Sequence, residues 1–189
     1  MRWSGRTGSR VLRSTFLCLG VLLALASLYE TSYCATEYGA GVAFPRGFFD
    51  YAFGAQAEHE MQYRALPPYL TPAVRVSGYF SYLDNLRLAV GSGSILLKLS
   101  PRQATRKATV FVPYVSVGPS VNYLYSWADL EDFGNMSESK LSTTLSVFAG
   151  AELLVAPRVS LFAEARQTVP SDFTFDYVLV GLKLRASYP

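Results

Sequence analysis

Two cysteines are all that the 189 residues contain, and both fall near the start, Cys18 and Cys34. That leaves no disulfide framework and no cysteine-built metal centre for the rest of the chain. Histidine is scarcer still, since His59 stands alone, so an imidazole cluster for a metal is excluded too. Charged residues make up only 16%, and beyond residue 35 no stretch approaches 18 uninterrupted apolar residues, which argues against a helical membrane span. Helix-favouring runs of Ala, Glu and Lys are missing, whereas Tyr and Phe number 13 and 12, a balance that favours strands. With half the residues hydrophobic, the chain is not a disordered tail.

The formal charge of +3 sits at the front. Residues 1–35 hold Arg2, Arg6, Arg10 and Arg13 and one acid, Glu30; without them thirteen bases face thirteen acids. A neutral remainder with no basic stripe excludes nucleic acid as the expected partner. The front segment itself has a basic start, an apolar run from Phe16 to Leu28 and small residues after it, the three parts of a cleaved secretory signal. The run is shorter than the ~20 residues of a spanning helix. Cleavage is expected either after Ala26, in Ala24-Leu25-Ala26, or after Cys34 or Ala35, the later sites matching a first strand that starts at 36. The domain is then 36–189.

What the remainder does contain is alternation. From Phe49 to Arg64 the even positions run Asp50, Ala52, Gly54, Gln56, Glu58, Glu60, Gln62 and Arg64, against Phe49, Tyr51, Phe53 and Tyr63 among the odd. Similar polar-against-apolar sets recur at 110–125, 143–155, 159–168 and 174–188. Segments about as long as a tilted membrane strand, with outward sets ending in aromatics such as Tyr123, Tyr125 and Trp127, predict an all-β antiparallel up-and-down transmembrane barrel. Eight strands are expected, at 36–44, 49–64, 73–82, 86–99, 110–125, 143–155, 159–168 and 174–188. Polarity switches sides at Gly91-Ser92-Gly93-Ser94, which predicts a bulge or a hairpin turn there; a turn would give ten strands. The stretch Ala128 to Leu141, with Asp129, Glu131, Asp132 and Glu138, reads as a long exposed loop on the outer face of the cell.

Several of these segments resemble a known family. Pro113-Tyr114-Val115-Ser116-Val117-Gly118, Leu161-Phe162-Ala163-Glu164-Ala165-Arg166 and the closing Tyr177 to Arg185 are similar to the late strands of the small outer-membrane barrels, the OmpA/OmpX-like group. The resemblance covers the chain from about Pro113 onward. It implies a bacterial outer-membrane protein in contact with outer-membrane lipid and lipopolysaccharide.

No catalytic constellation accompanies this pattern. A lipid hydrolase needs Ser within reach of His, and Glu58-His59-Glu60 has no nearby Ser. Asp129, Glu131 and Asp132 lack the glycine and spacing of a calcium loop, so neither metal nor cofactor is expected. The candidate functional set is an inward charge network of Glu58, Glu60, Glu152 and Glu164 with Arg64, Arg75, Arg87, Arg166, Lys183 and Arg185. In a lumen wide enough only for its own side chains these should pair as a plug, with Glu152 and Glu164 sharing a network with Arg166 and Lys183. A structural or surface-interaction role through the loops follows, and a small gated channel is the alternative.

Overall fold

In a computed structural model of the chain, residues 31–46, 51–63, 66–83, 86–101, 110–130, 134–169 and 176–187 are described. They form eight strands: β1 (Thr31–Pro45), β2 (Ala52–Tyr63), β3 (Leu70–Leu83), β4 (Leu86–Leu99), β5 (Phe111–Leu130), β6 (Gly134–Ala156), β7 (Val159–Val169) and β8 (Tyr177–Ser187). Each pairs antiparallel with its sequence neighbours, and β1 pairs with β8 to close the barrel. Closure leaves no sheet edge around the ring, which is what a hydrocarbon surrounding demands of a β-structure.

The pleat sorts the side chains between two environments. Outward positions hold Phe53, Val76, Leu97, Val115, Val121, Leu161, Val180 and Leu184, all exposed, on six of the eight strands; Phe53 and Val76 each reach 62%. Soluble monomers do not expose apolar surface on this scale. Inward positions hold the reverse: Glu37, Glu58, Arg75, Lys98, Glu152, Glu164 and Lys183 are buried. The molecule is inside-out relative to a water-soluble fold.

At the β1–β8 seam two glycines face each other, Gly41 opposite Gly181. A Cβ on Gly41 would lie 2.2 Å from the carbonyl oxygen of Val180, and one on Gly181 would lie 2.1 Å from that of Ala40. Only glycine allows the strands to approach so closely here.

Three expectations need correction. First, β4 is unbroken: Gly91 pairs with Gly78 on one side and Tyr123 on the other, and the register is unchanged on both sides of it. There is neither bulge nor turn at 91–94, and the barrel has eight strands. Second, the inward residues of early β4 are Leu88 and Val90, while Arg87 is exposed on the outer wall, where its guanidinium lies over the rings of Tyr82 and Trp127 at 5.4 and 5.9 Å. Leu88 and Val90 face in because this end of the lumen is apolar: they cluster with Ala43, Ala52, Tyr79, Phe162, Tyr177 and Leu179. Third, the described residues of Ala128 to Leu141 are strand, not loop. They extend β5 and β6 as a continuous hairpin, paired down to Leu130 with Gly134.

Candidate functional site: the charged lumen

Toward the end that carries both termini, β1, β2, β3, β4, β6, β7 and β8 aim ionised side chains at one another. The pleat places Glu58 and Glu60 on the inner face of β2, and across β3 the register sets Arg75 directly beside Glu58. Arg75 donates through Nε to Glu58 Oε2 at 2.6 Å and through Nη1 to Glu164 Oε1 at 2.8 Å, bridging opposite walls. Lys98, on β4, donates to Glu58 Oε1 at 2.7 Å and Glu60 Oε1 at 2.6 Å. Lys183, on β8, donates to Glu152 Oε1 at 2.8 Å and lies 3.7 Å from Glu37 Oε2. Arg185 completes the ring, donating through Nε to Glu37 at 2.8 Å, with Nη2 3.6 Å from Glu60.

Carboxylate oxygens of Glu37, Glu58 and Glu60 lie within 4.8 Å of one another, a crowding that would be prohibitive without cations among them. Lys98, Lys183 and Arg185 supply that compensation. Tyr114 stands at the centre: its hydroxyl donates to Glu164 Oε2 at 2.8 Å, while its ring faces Lys98 and Lys183 at 4.7 and 4.9 Å. Phe148 plays the same part for Arg75, whose guanidinium sits 4.4 Å from the ring centroid. Aromatic faces therefore pack against cations inside the lumen. Each buried charge has an opposite charge or a hydrogen bond, the condition for tolerating it at low dielectric.

Arg166 stands apart from the carboxylates. Its Nη2 donates to Asn122 Oδ1 at 2.5 Å and Ser146 Oγ at 3.0 Å, in a polar zone that also holds Ser92, Ser94, Ser120 and Thr144. Beside it, the Tyr79 and Tyr177 hydroxyls hydrogen-bond to each other, their rings 4.7 Å apart and tilted by 44°, within an apolar cluster. The lumen thus holds ion pairs toward the termini, and hydroxyls and apolar side chains at overlapping depths beyond them.

Of the residues expected inside, Glu58, Glu60, Glu152, Glu164, Arg75, Lys183 and Arg185 come together in the ion-pair network, and Arg166 lies in the polar zone. Arg87 lies outside the barrel, and Arg64 falls outside the described residues. Glu164 is held directly by Arg75 and Tyr114, and Lys183 by Glu152; Glu164 and the Lys183–Glu152 pair are joined indirectly, through Arg75, Glu58, Lys98, Glu60, Arg185 and Glu37, and Arg166 stands outside that ion-pair network. Glu37 and Lys98 were missed, though both alternate correctly with their strands. Glu131 and Asp132 lie outside the described residues; Asp129 pairs with Asn135 along the hairpin, and Glu138 is exposed on β6. His59 is half-buried on β2, its Nδ1 2.9 Å from the Thr36 hydroxyl on β1.

A closed eight-stranded antiparallel barrel with an apolar wall and an ionic lumen defines the smallest class of transmembrane β-barrel. The fold is that of the small outer-membrane barrels, the OmpA/OmpX-like group. Neisserial surface protein A superposes with a TM-score of 0.52 at 16% identity, over 82% of this chain and 96% of that one. The N-terminal barrel domain of Pseudomonas aeruginosa OprF gives 0.52 at 11%, over 83% and 100%. A major outer membrane protein of Thermus thermophilus gives 0.53 at 12%, over 82% and 98%. No protein-family model and no curated relative matches the sequence.

Proposed function

We propose that the chain is an outer-membrane barrel with a structural or surface-interaction role, exported by its first residues, and that it passes no solute. The filled lumen carries this reading: a channel needs a continuous path, and both the ion pairs and the Tyr79–Tyr177 pair span the interior. β1 begins at Thr31 and pairs Cys34 with Met61, so cleavage after Ala26 keeps all of its rungs, whereas cleavage after Cys34 or Ala35 removes some. The surface element is the β5–β6 hairpin rather than a loop. At 20 and 23 residues these strands exceed the 11 to 15 of the others, and β7 meets β6 only from Leu145. Ser137 and Glu138 are exposed where the hairpin passes the end of β4, whose first residue pairs with Ala128.

Two measurements on the refolded protein test this. It should migrate faster on a gel unheated than boiled, because a closed ladder resists detergent. In planar bilayers it should show no steady conductance; sustained single-channel steps would replace this reading with the gated-channel alternative.

A further inference from the structure

The outer wall is not uniform. On β3, β4 and β5, Gly78 and Gly91 pair directly, with Tyr123 next in the row. A Cβ added to either glycine would meet nothing within 4 Å. They floor a recess of about 500 Å³ walled by Phe53, Phe80, Tyr123 and Tyr125. Four residues further along β4, toward the end away from the termini, the row Tyr82–Arg87–Trp127 crosses the same three strands. Trp127 links the two features, its ring 5.3 Å from Tyr125 and 6.0 Å from Phe80. Arg87 is exposed beside these rings, and among the described residues no carboxylate lies within ion-pair distance of it.

We propose that this recess and Arg87 form a binding site for one anionic glycerophospholipid, its phosphate on Arg87 and an acyl chain along the glycine floor. The proposal rests on the reading that the wall faces lipid. A hydrocarbon tail gains no hydrophobic free energy by moving from bulk lipid to an apolar wall, so shape and charge must select the occupant. The recess supplies shape, because a chain lying in it regains the dispersion contacts that a void beside the wall forfeits. Arg87 supplies charge at the level of an aromatic girdle, where headgroups sit; its stem lies along apolar surface while its cation reaches the phosphate. At four residues of about 3.3 Å rise, the guanidinium row stands roughly 13 Å from the glycine row, a span within the reach of one lipid from phosphate to mid-chain.

Native mass spectrometry in detergent, with phosphatidylglycerol and phosphatidylcholine of equal chain length offered together, tests the site. The folded protein should retain one phosphatidylglycerol with about fivefold preference, what a single cation contributes near an anionic headgroup. Arg87→Gln should remove the preference but leave retention; Gly91→Leu should reduce retention of both lipids, as should Gly78→Leu if the former folds poorly. Equal retention of the two lipids by the unaltered protein, or undiminished retention in both glycine variants, overturns the proposal. Displacement of phosphatidylglycerol by added lipopolysaccharide also overturns it, in favour of the larger lipid. A protein with no heat-dependent gel shift would instead remove the barrel-in-lipid reading beneath it.

Discussion

Arg75 shows what one residue contributes to this lumen. Nearly all of its charge is spent on Glu58 and Glu164, with Phe148 against its face. Arg75→Met would leave two buried carboxylates short of a cation and should cost about 3–5 kcal/mol, read from urea unfolding in detergent. Arg185→Gln should cost less, because its side chain is 18% exposed and water can replace it. Pair assignments are testable by double-mutant cycles. Glu152→Gln with Lys183→Met should show coupling, since the groups touch at 2.8 Å, whereas Glu164→Gln with Lys183→Met should be closer to additive, since no ion pair joins those two. Coupling of equal size in the two cycles would show that the indirect link through the network is as strong as direct contact.

Inward charges on β2, β6, β7 and β8 were legible in the sequence because polarity alternates cleanly there. Their partners were less so. Which cation a given Glu meets depends on shear and on reach across the lumen, as when Arg75 bridges β2 and β7, and neither is written in the period of a single strand.

At the scale of elements, the misread strand is β4. The rule that polar residues face the lumen fails where the lumen itself is apolar, so Leu88 and Val90 looked lipid-facing and Arg87 looked internal. The apparent switch at Gly91 to Ser94 follows from that one error: inside positions are even throughout, and only their polarity changes with depth. Lys98, which obeys the true register, was lost with it. The hairpin was misread for a related reason, since strands that leave the membrane have no apolar face and resemble a loop in composition. Glycine usage divides along the same lines. Gly41→Val should hinder closure of the β1–β8 seam, where added atoms meet carbonyl oxygens, at a cost of roughly 1–3 kcal/mol or more. Gly93→Val, on the outer wall with nothing within 4 Å of a new Cβ, should fold normally. The fraction of refolded protein that shows the heat-dependent gel shift measures both, and a normal yield for Gly41→Val would show that the seam relaxes.

For the whole molecule the question is which surface meets which solvent. Val180 lies on β8 facing outward, 46% exposed, in register with Val42 on β1 and Ala163 on β7, so its surroundings on the wall are apolar on both sides. Ser137 is exposed too, but it pairs with Trp127 in the outer aromatic row, on the part of β6 that extends past β7. In water the two positions would tolerate an arginine about equally, as exposed strand residues. In a bilayer they differ: a cation on the lipid face near the midplane costs roughly 2 to 4 kcal/mol, and one outside the hydrocarbon costs almost nothing. Val180→Arg should therefore lower the yield of folding into phospholipid vesicles and its unfolding midpoint in urea, while Ser137→Arg leaves both unchanged. The comparison is informative because lumen packing, strand length and hairpin geometry are the same in the two variants. Equal losses from both would mean that the projecting hairpin is itself embedded. Equal tolerance of both would mean that the apolar wall is covered by something other than hydrocarbon, and the inside-out arrangement would need a protein partner to explain it.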